Sequence, residues 1–292
     1  MDSISEALKQ KVIDIRARRS QDAEHFFVIP GTAHNPPYFV KYDGNGDTLF
    51  AEARTQNYLH TLSKVDSEAP ARVPQVLHTF SFDWTTYIIM EYIPPPAVTL
   101  DVWVDNAPSE EERQIRTETG ISKVAAIVSW IHSCPLPDGA GIGPVGGGVS
   151  QYIFFPDHEA PKLASIVALE RYINAALSAL PPRVGKPART TSLADCPLQF
   201  CHSDIKRRNF MIRPDTLEVW LIDAQHISIL PSPFASYALH GPRDKFIRSV
   251  AEKLGLKRWH HLRYMSYAAF RLQHSGDSTF GLDENGLPVT RS

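Results

Sequence analysis

Residues 200–212 read FCHSDIKRRNFMI, a short polar island between two apolar runs. It presents His202, Asp204, Lys206 and Asn209, with the asparagine five residues after the aspartate. A carboxylate on a loop can orient a hydroxyl group and accept its proton, and a carboxamide oxygen suits a hard divalent cation. Alone, a D-x-x-x-x-N spacing is ordinarily a surface turn, because Asp and Asn are common turn residues. The chain offers more. Fourteen residues after Asn209, LEVWLID ends an apolar run on Asp223, a second hard oxygen donor, although an aspartate at a strand end also often just opens a turn.

Phosphoryl transfer from a nucleotide needs few parts, because most of the catalysis is positioning and charge neutralisation. A lysine holds the α- and β-phosphates and a glutamate holds the lysine. A carboxylate orients the acceptor hydroxyl, and an asparagine and a second aspartate bind magnesium. Lys41, in YFVKYD, is the only lysine between Lys11 and Lys64. Glu52 lies on the next predicted helix and is its only acidic residue after the cap. Singly, Lys41 reads as a solvated edge residue and Glu52 as a solvent-facing one. In order with Asp204, Asn209 and Asp223 they make a phosphotransfer set. Lys206 falls where it reaches the transferring phosphate. His202 is expected to brace the loop, with Arg207 and Arg208 solvated.

These residues need elements to hold them. HFFVIPGTAHNPPYFVKY predicts two strands around a turn, and DTLFAEARTQNYLHTL a helix capped by Asp47, with Phe50, Ala53 and Leu62 among its apolar positions. VLHTFSF and TTYIIMEYI predict two more strands, the second stopping at Pro94-Pro95-Pro96. The pattern then turns helical. Ser109 and Glu112 form a capping box for a helix to about His132, with Val124, Ala125, Val128 and Ile131 on one face. Another helix is predicted over 161–180, through Leu163, Ile166, Val167, Ile173 and Leu177. PLQFC, FMI and LEVWLID predict short strands, and 233–273 helices again. The expected architecture is α+β and two-lobed, in one domain. A small β-rich lobe with one helix spans residues 1–93, and a larger, mainly helical lobe spans 94–292.

Bulk properties narrow the partners. The 292 residues are 43% hydrophobic and 21% charged with net charge −2, which suits a globular core and excludes an electrostatic case for nucleic acid or an anionic membrane. No apolar run approaches the roughly 18 residues of a membrane helix. The N-terminus, MDSISEALKQ, is unlike a secretory signal. Cys134, Cys196 and Cys201 are too few and too oddly spaced for a disulfide framework or a zinc site, and read as buried thiols in a reducing, cytoplasmic setting.

On HSDIKRRN, LID, FVK and the Glu52 helix, the chain resembles the aminoglycoside phosphotransferase and choline kinase group, small-molecule kinases with a protein-kinase-like fold, over about residues 25–240. IGPVGGG and LPSPFASYAL are similar to a fungal branch of that group. The resemblance implies ATP and Mg2+ as cofactors, Asp204 and Lys206 as catalytic residues, and Asn209 and Asp223 as metal ligands. Lys41 and Glu52 serve the nucleotide, and IIMEYI becomes a hinge where the backbone of Glu91, Tyr92 and Ile93 reads adenine. The chain also departs from the protein-kinase pattern. Its phosphate-covering turn has one glycine, Gly31, with Asn35 nearby, where protein kinases use three glycines. A better G-x-G-x-x-G, at Gly141, Gly143 and Gly146, encloses Pro144 and follows no clear strand, so it reads as a loop between helices. Ala224-Gln225 replaces Phe-Gly, and residues 224–251 hold no glutamate, which favours a small-molecule kinase over a switched protein kinase. Residues 241–292 hold nine Lys/Arg against five Asp/Glu. With Tyr237, Trp259, Tyr264, Tyr267 and Phe270, that balance favours an uncharged or aromatic alcohol over a polycation as acceptor. The alternative reading is a catalytically silent kinase-like protein that binds a nucleotide or a partner.

Overall fold

The computed structural model describes residues 5–20, 24–33, 35–181, 189–241 and 244–289. The first four residues of the polar N-terminus lie outside the described residues, as do Arg243 and Arg291 of the basic C-terminal segment. The first sheet is built from strands β1 (Phe26–Ile29), β2 (Tyr38–Asp43), β3 (Val76–Phe82) and β4 (Thr85–Glu91), antiparallel in the order β1-β2-β4-β3. Lys41 stands opposite Phe26 and Ile88, and Phe39 opposite Val28 and Met90. Alternation along β2 puts Phe39 and Lys41 on one face and Val40 and Tyr42 on the other. β4 ends at Glu91, short of the prolines, where the Glu91 N–H donates to the Gln75 oxygen just before β3 begins.

The Val40 face packs Phe27, Ile29, Tyr42, Tyr87 and Ile89 against Leu8, Val12 and Ile15 of helix α1 (Glu6–Ala17). That helix was not expected: Val12 is its only buried residue, so its apolar stripe is too thin to register as a period. The Lys41 face receives helix α2 (Gly46–Val65), whose Leu49 and Ala53 pack on Val76, Ile88 and Met90. The cap of α2 is Asn45, whose side chain accepts from Thr48 N–H; the expected cap, Asp47, lies inside the first turn, where its charge complements the helix dipole. Phe50 and Leu62 are only half-buried, while Glu52, Thr55 and Gln56 are buried. α2 is enclosed on two sides, so its buried stripe is wider and more polar than one apolar face.

Beyond the prolines come β5 (Val98–Thr99), α3 (Leu100–Asp105) and α4 (Glu110–Ser133). The Ser109 side chain accepts from Glu112 N–H, but the Glu112 carboxylate accepts from Arg116 instead, so the cap forms in its first half; Val124, Ala125, Val128 and Ile131 are all buried. Helix α5 spans Ile166–Ser178 and starts later than expected, because Ser165 caps it and leaves Leu163 outside. β6 (Leu198–His202), β7 (Phe210–Ile212) and β8 (Val219–Leu221) form where strands were expected, but β8 is shorter than LEVWLID and leaves Asp223 two residues beyond its end. An additional strand, β9 (Ile227–Pro231), pairs with β6 and brings His202 opposite Ile227. Helices α6 (Pro233–His240), α7 (Lys245–Leu254) and α8 (Leu262–Gln273) complete the mixed α and β architecture of small antiparallel sheets and helices. Among the described residues no helix is long and apolar enough to cross a membrane. All three cysteines are free; Cys134 and Cys201 are buried and Cys196 is half-buried.

Candidate active site

The polar island is fixed from beneath. Its one apolar residue, Ile205, is 1% exposed and sits in a core with Phe200, Phe210, Ile212 and Leu221. Ser203 N–H donates to the His226 oxygen (3.1 Å), and Ile222 N–H donates to the Asn209 oxygen (3.0 Å). The segment carrying Asp223 is thereby sewn to the loop carrying Asp204. His202 is buried with Nδ1 3.5 Å from the His226 oxygen, and burial lowers its pKa to about 4, so it braces the loop as a neutral ring.

Asp204 is nearly buried. Its Oδ2 accepts from Asn209 Nδ2 at 2.8 Å, and its Oδ1 pairs with Lys206 Nζ at 2.6 Å. Burial opposes the charge, but these two partners outweigh it and hold the carboxyl below its ordinary value. Asn209 also donates to the Asp204 backbone oxygen, so both amide protons face Asp204 and the carboxamide oxygen is the atom a cation meets. Arg207 lies 3.9 Å from Asp105 in a partly exposed ion pair, and Arg208 is exposed.

Lys41 gathers the second group. Its Nζ donates to both Glu52 carboxylate oxygens (2.9 and 2.8 Å), to Asp223 Oδ1 (3.0 Å) and to Gln225 Oε1 (3.3 Å). Burial works against the ammonium charge, yet Glu52 and Asp223 raise the lysine above its ordinary value. Glu52 is 2% exposed, and its burial pushes the carboxyl up against the pull of Lys41. Asp223 is lowered, because Lys41 outweighs its burial; the nearby Asp204 charge acts the other way. Asp223 has φ of 62°, the left-handed region that a non-glycine residue occupies at a cost of roughly 1–3 kcal/mol and that concentrates at functional sites.

Thus Lys41, Glu52 and Asp223 meet in one group, Asp204, Lys206 and Asn209 in another, and backbone bonds join the two. Glu91, Tyr92 and Ile93 lie at the end of β4, just past Met90 on the Lys41 face. The Glu91 N–H is committed to Gln75, whereas neither the Tyr92 nor the Ile93 N–H meets a backbone acceptor among the described residues. The Gly31 turn closes through Thr32 N–H to the Asn35 oxygen (2.8 Å).

Sequence reasoning missed Gln225, visible only as a departure from Phe-Gly. It also missed the apolar face around Lys41: Phe26 stacks on Phe39 with centroids 5.3 Å apart, beside Val28 and Met90. Alternation in β1 and β2 was the available signal. Four of the five C-terminal aromatics, Tyr237, Trp259, Tyr264 and Tyr267, pack on a core around Phe154, Tyr172 and Phe234, none of which is a residue of this site; Phe270 is exposed. Nor does a surface hollow of about 400 Å³ beside Glu118, Lys123 and Lys253 share any residue with it.

Among the described residues no group of three or more His, Cys, Asp or Glu is arranged as a metal cage. One carboxylate and one carboxamide oxygen instead fit magnesium, which keeps several waters and takes phosphate oxygens as its other ligands. Residues 19–223 match the phosphotransferase enzyme family, a stretch that takes in Lys41, Glu52, Asp204 and Asn209 and ends on Asp223. The chain belongs to that family. Among curated proteins, none matches the chain significantly.

Proposed function

We propose that the chain is an ATP- and magnesium-dependent phosphotransferase that moves the γ-phosphoryl group to a hydroxyl of a small metabolite. The observation that carries this reading is the convergence of Glu52 and Asp223 on Lys41 from positions 11 and 182 residues away. In this reading residues up to Ile93 form the nucleotide-covering lobe and residues from Pro94 the catalytic lobe of a protein-kinase-like fold. Phe26, Val28, Phe39 and Met90 supply an apolar surface for the base, and the backbone at Tyr92 and Ile93 its hydrogen bonds.

With a nucleotide bound, Lys41 would keep Glu52 and give up its Asp223 bond to hold the α- and β-phosphates. Asp223 and the Asn209 carboxamide oxygen would then hold magnesium, which would neutralise phosphate charge. Asp204, kept ionised by Lys206 and Asn209, orients the acceptor hydroxyl and takes its proton. Lys206 is exposed and two residues from Asp204, placed to follow the transferred group. The basic excess after residue 241 supports an acceptor other than a polycation.

The test is a screen of metabolite alcohols with ATP and magnesium, scored for phosphorylated product, with Asp223→Ala alongside. The reading expects product from the parent and neither product nor magnesium-dependent ATP binding from the variant. Equal magnesium-ATP affinity in both proteins would remove Asp223 as a ligand. Nucleotide binding by the parent without product from any alcohol moves the chain to the silent class.

A further inference from the structure

We propose that the glycine-rich segment from Gly143 to Glu159 is a strap that holds helix α2 in its productive position, with Arg54 as the positioning residue for Glu52. The proposal rests on the phosphotransferase reading for its effect on turnover, but its contacts stand apart from that reading. The strap is rooted at Gly143, whose N–H and oxygen both bond Ile229 of β9, at 2.9 and 2.7 Å. From there it reaches α2. Val145 N–H donates to Thr55 Oγ1 (3.1 Å), Arg54 Nε donates to the Val145 oxygen (2.9 Å) and Arg54 Nη2 to the Gly147 oxygen (2.7 Å). At its far end Glu159 accepts from Gln151 (3.0 Å) and, at 3.5 Å, from Asn45, the cap of α2. Glu52 lies between these two attachments.

The polarity of the loop decides what it holds. A phosphate cradle turns successive N–H groups toward an anion. Here two carbonyl oxygens turn toward a guanidinium, so the loop receives a cation that belongs to the chain. The glycines serve that geometry. Gly143, Gly146, Gly147 and Gly148 have φ of 120°, 75°, 79° and 122°, which disfavours any side chain, and a Cβ on Gly146 would stand 2.8 Å from Arg54 Nε. In two-lobed kinases the position of the glutamate helix governs whether its lysine pair forms. This chain carries a short fixed tie to that helix, so the Lys41–Glu52 pair is held without a switch.

Arg54 is exposed, so its removal leaves the cores intact. In Arg54→Ala, amides of α2 should exchange hydrogen about 10-fold faster while those of α4 are unchanged. Turnover should fall about 10-fold through misplacement of Glu52, and Arg54→Lys, able to keep one bond, should restore part of it. Added to Glu52→Gln, Arg54→Ala should cost nothing more, because the strap acts through the missing carboxylate. Unchanged α2 exchange, or a full additive loss in the double variant, overturns the proposal. Should the parent transfer no phosphoryl group, the phosphotransferase reading falls and the exchange result alone judges the strap; Gly146→Ala, which displaces the guanidinium, must then reproduce the faster exchange.

Discussion

Two lysine–carboxylate contacts sit side by side in this molecule and are built in opposite ways. Lys206 meets Asp204 from two residues away, and its side chain is 51% exposed. Lys41 meets Asp223 from 182 residues away and Glu52 from 11, with side-chain exposures of 22% for the lysine and 1% for Glu52. The first pair is wet at its cationic end, so water and salt compete for the lysine and little stability depends on it. The second is desolvated at its glutamate, which cannot lose its cation without leaving a charge stranded in the core. One lysine is exposed enough to move. The other is a fixture that positions whatever lies above it.

The largest effect should come from the carboxylate of the wet pair. Asp204→Asn keeps the side chain's shape and one of its two acceptor oxygens but removes the proposed proton acceptor, so turnover should drop by about 10² to 10⁴, roughly 3 to 5 kcal/mol of barrier. Nucleotide affinity should hold, since Lys41, Asn209 and Asp223 are untouched. Parental turnover in this variant removes Asp204 from the mechanism.

Lys41→Ala should cost about 3 kcal/mol of folding stability as well as activity, because Glu52 is left buried and unpaired. Denaturant midpoints of the variant and of Lys41→Ala/Glu52→Gln separate the two contributions. If the Glu52 change does not recover part of the loss, the dry pair is not the fixture described.

Acid tests the floor beneath both pairs. His202 and the partly buried His132 have pKa values lowered to about 4, chiefly by burial. The unfolded chain binds protons at these rings below its ordinary histidine pKa while the folded chain does not, so stability falls as pH drops from about 6.5 toward about 4. Each ring contributes at most about 2 kcal/mol of that loss by about pH 5. Urea midpoints across this range should fall less in His132→Gln, and an equal slope in the two proteins counts against a buried neutral His132.

The smallest change should be the stability of Lys206→Ala, shifted by less than about 1 kcal/mol while turnover falls. A loss as large as that of Lys41→Ala would erase the contrast between the pairs.

Much of this was open to a reader of the chain. The spacing of HSDIKRRN placed Asp204 and Asn209 together because both lie on one short loop between strands, where distance along the chain is distance in space. The Ser109 cap and the β1–β2 hairpin are local for the same reason. Glu52 could be named but not placed: that it is buried, and that Lys41 takes Asp223 and Gln225 as further acceptors, depends on two distant segments closing over α2. The strap was legible only as a glycine-rich loop between helices, since its partner Arg54 is about 90 residues away in sequence. Helix α1 and strand β9 stayed hidden because one buries a single residue fully and the other needs β6 to pair with. Residue types and short spacings picked out the candidate groups for the chemistry. Packing decided which of them are dry, since burial is a property of what covers a residue and not of the residue itself.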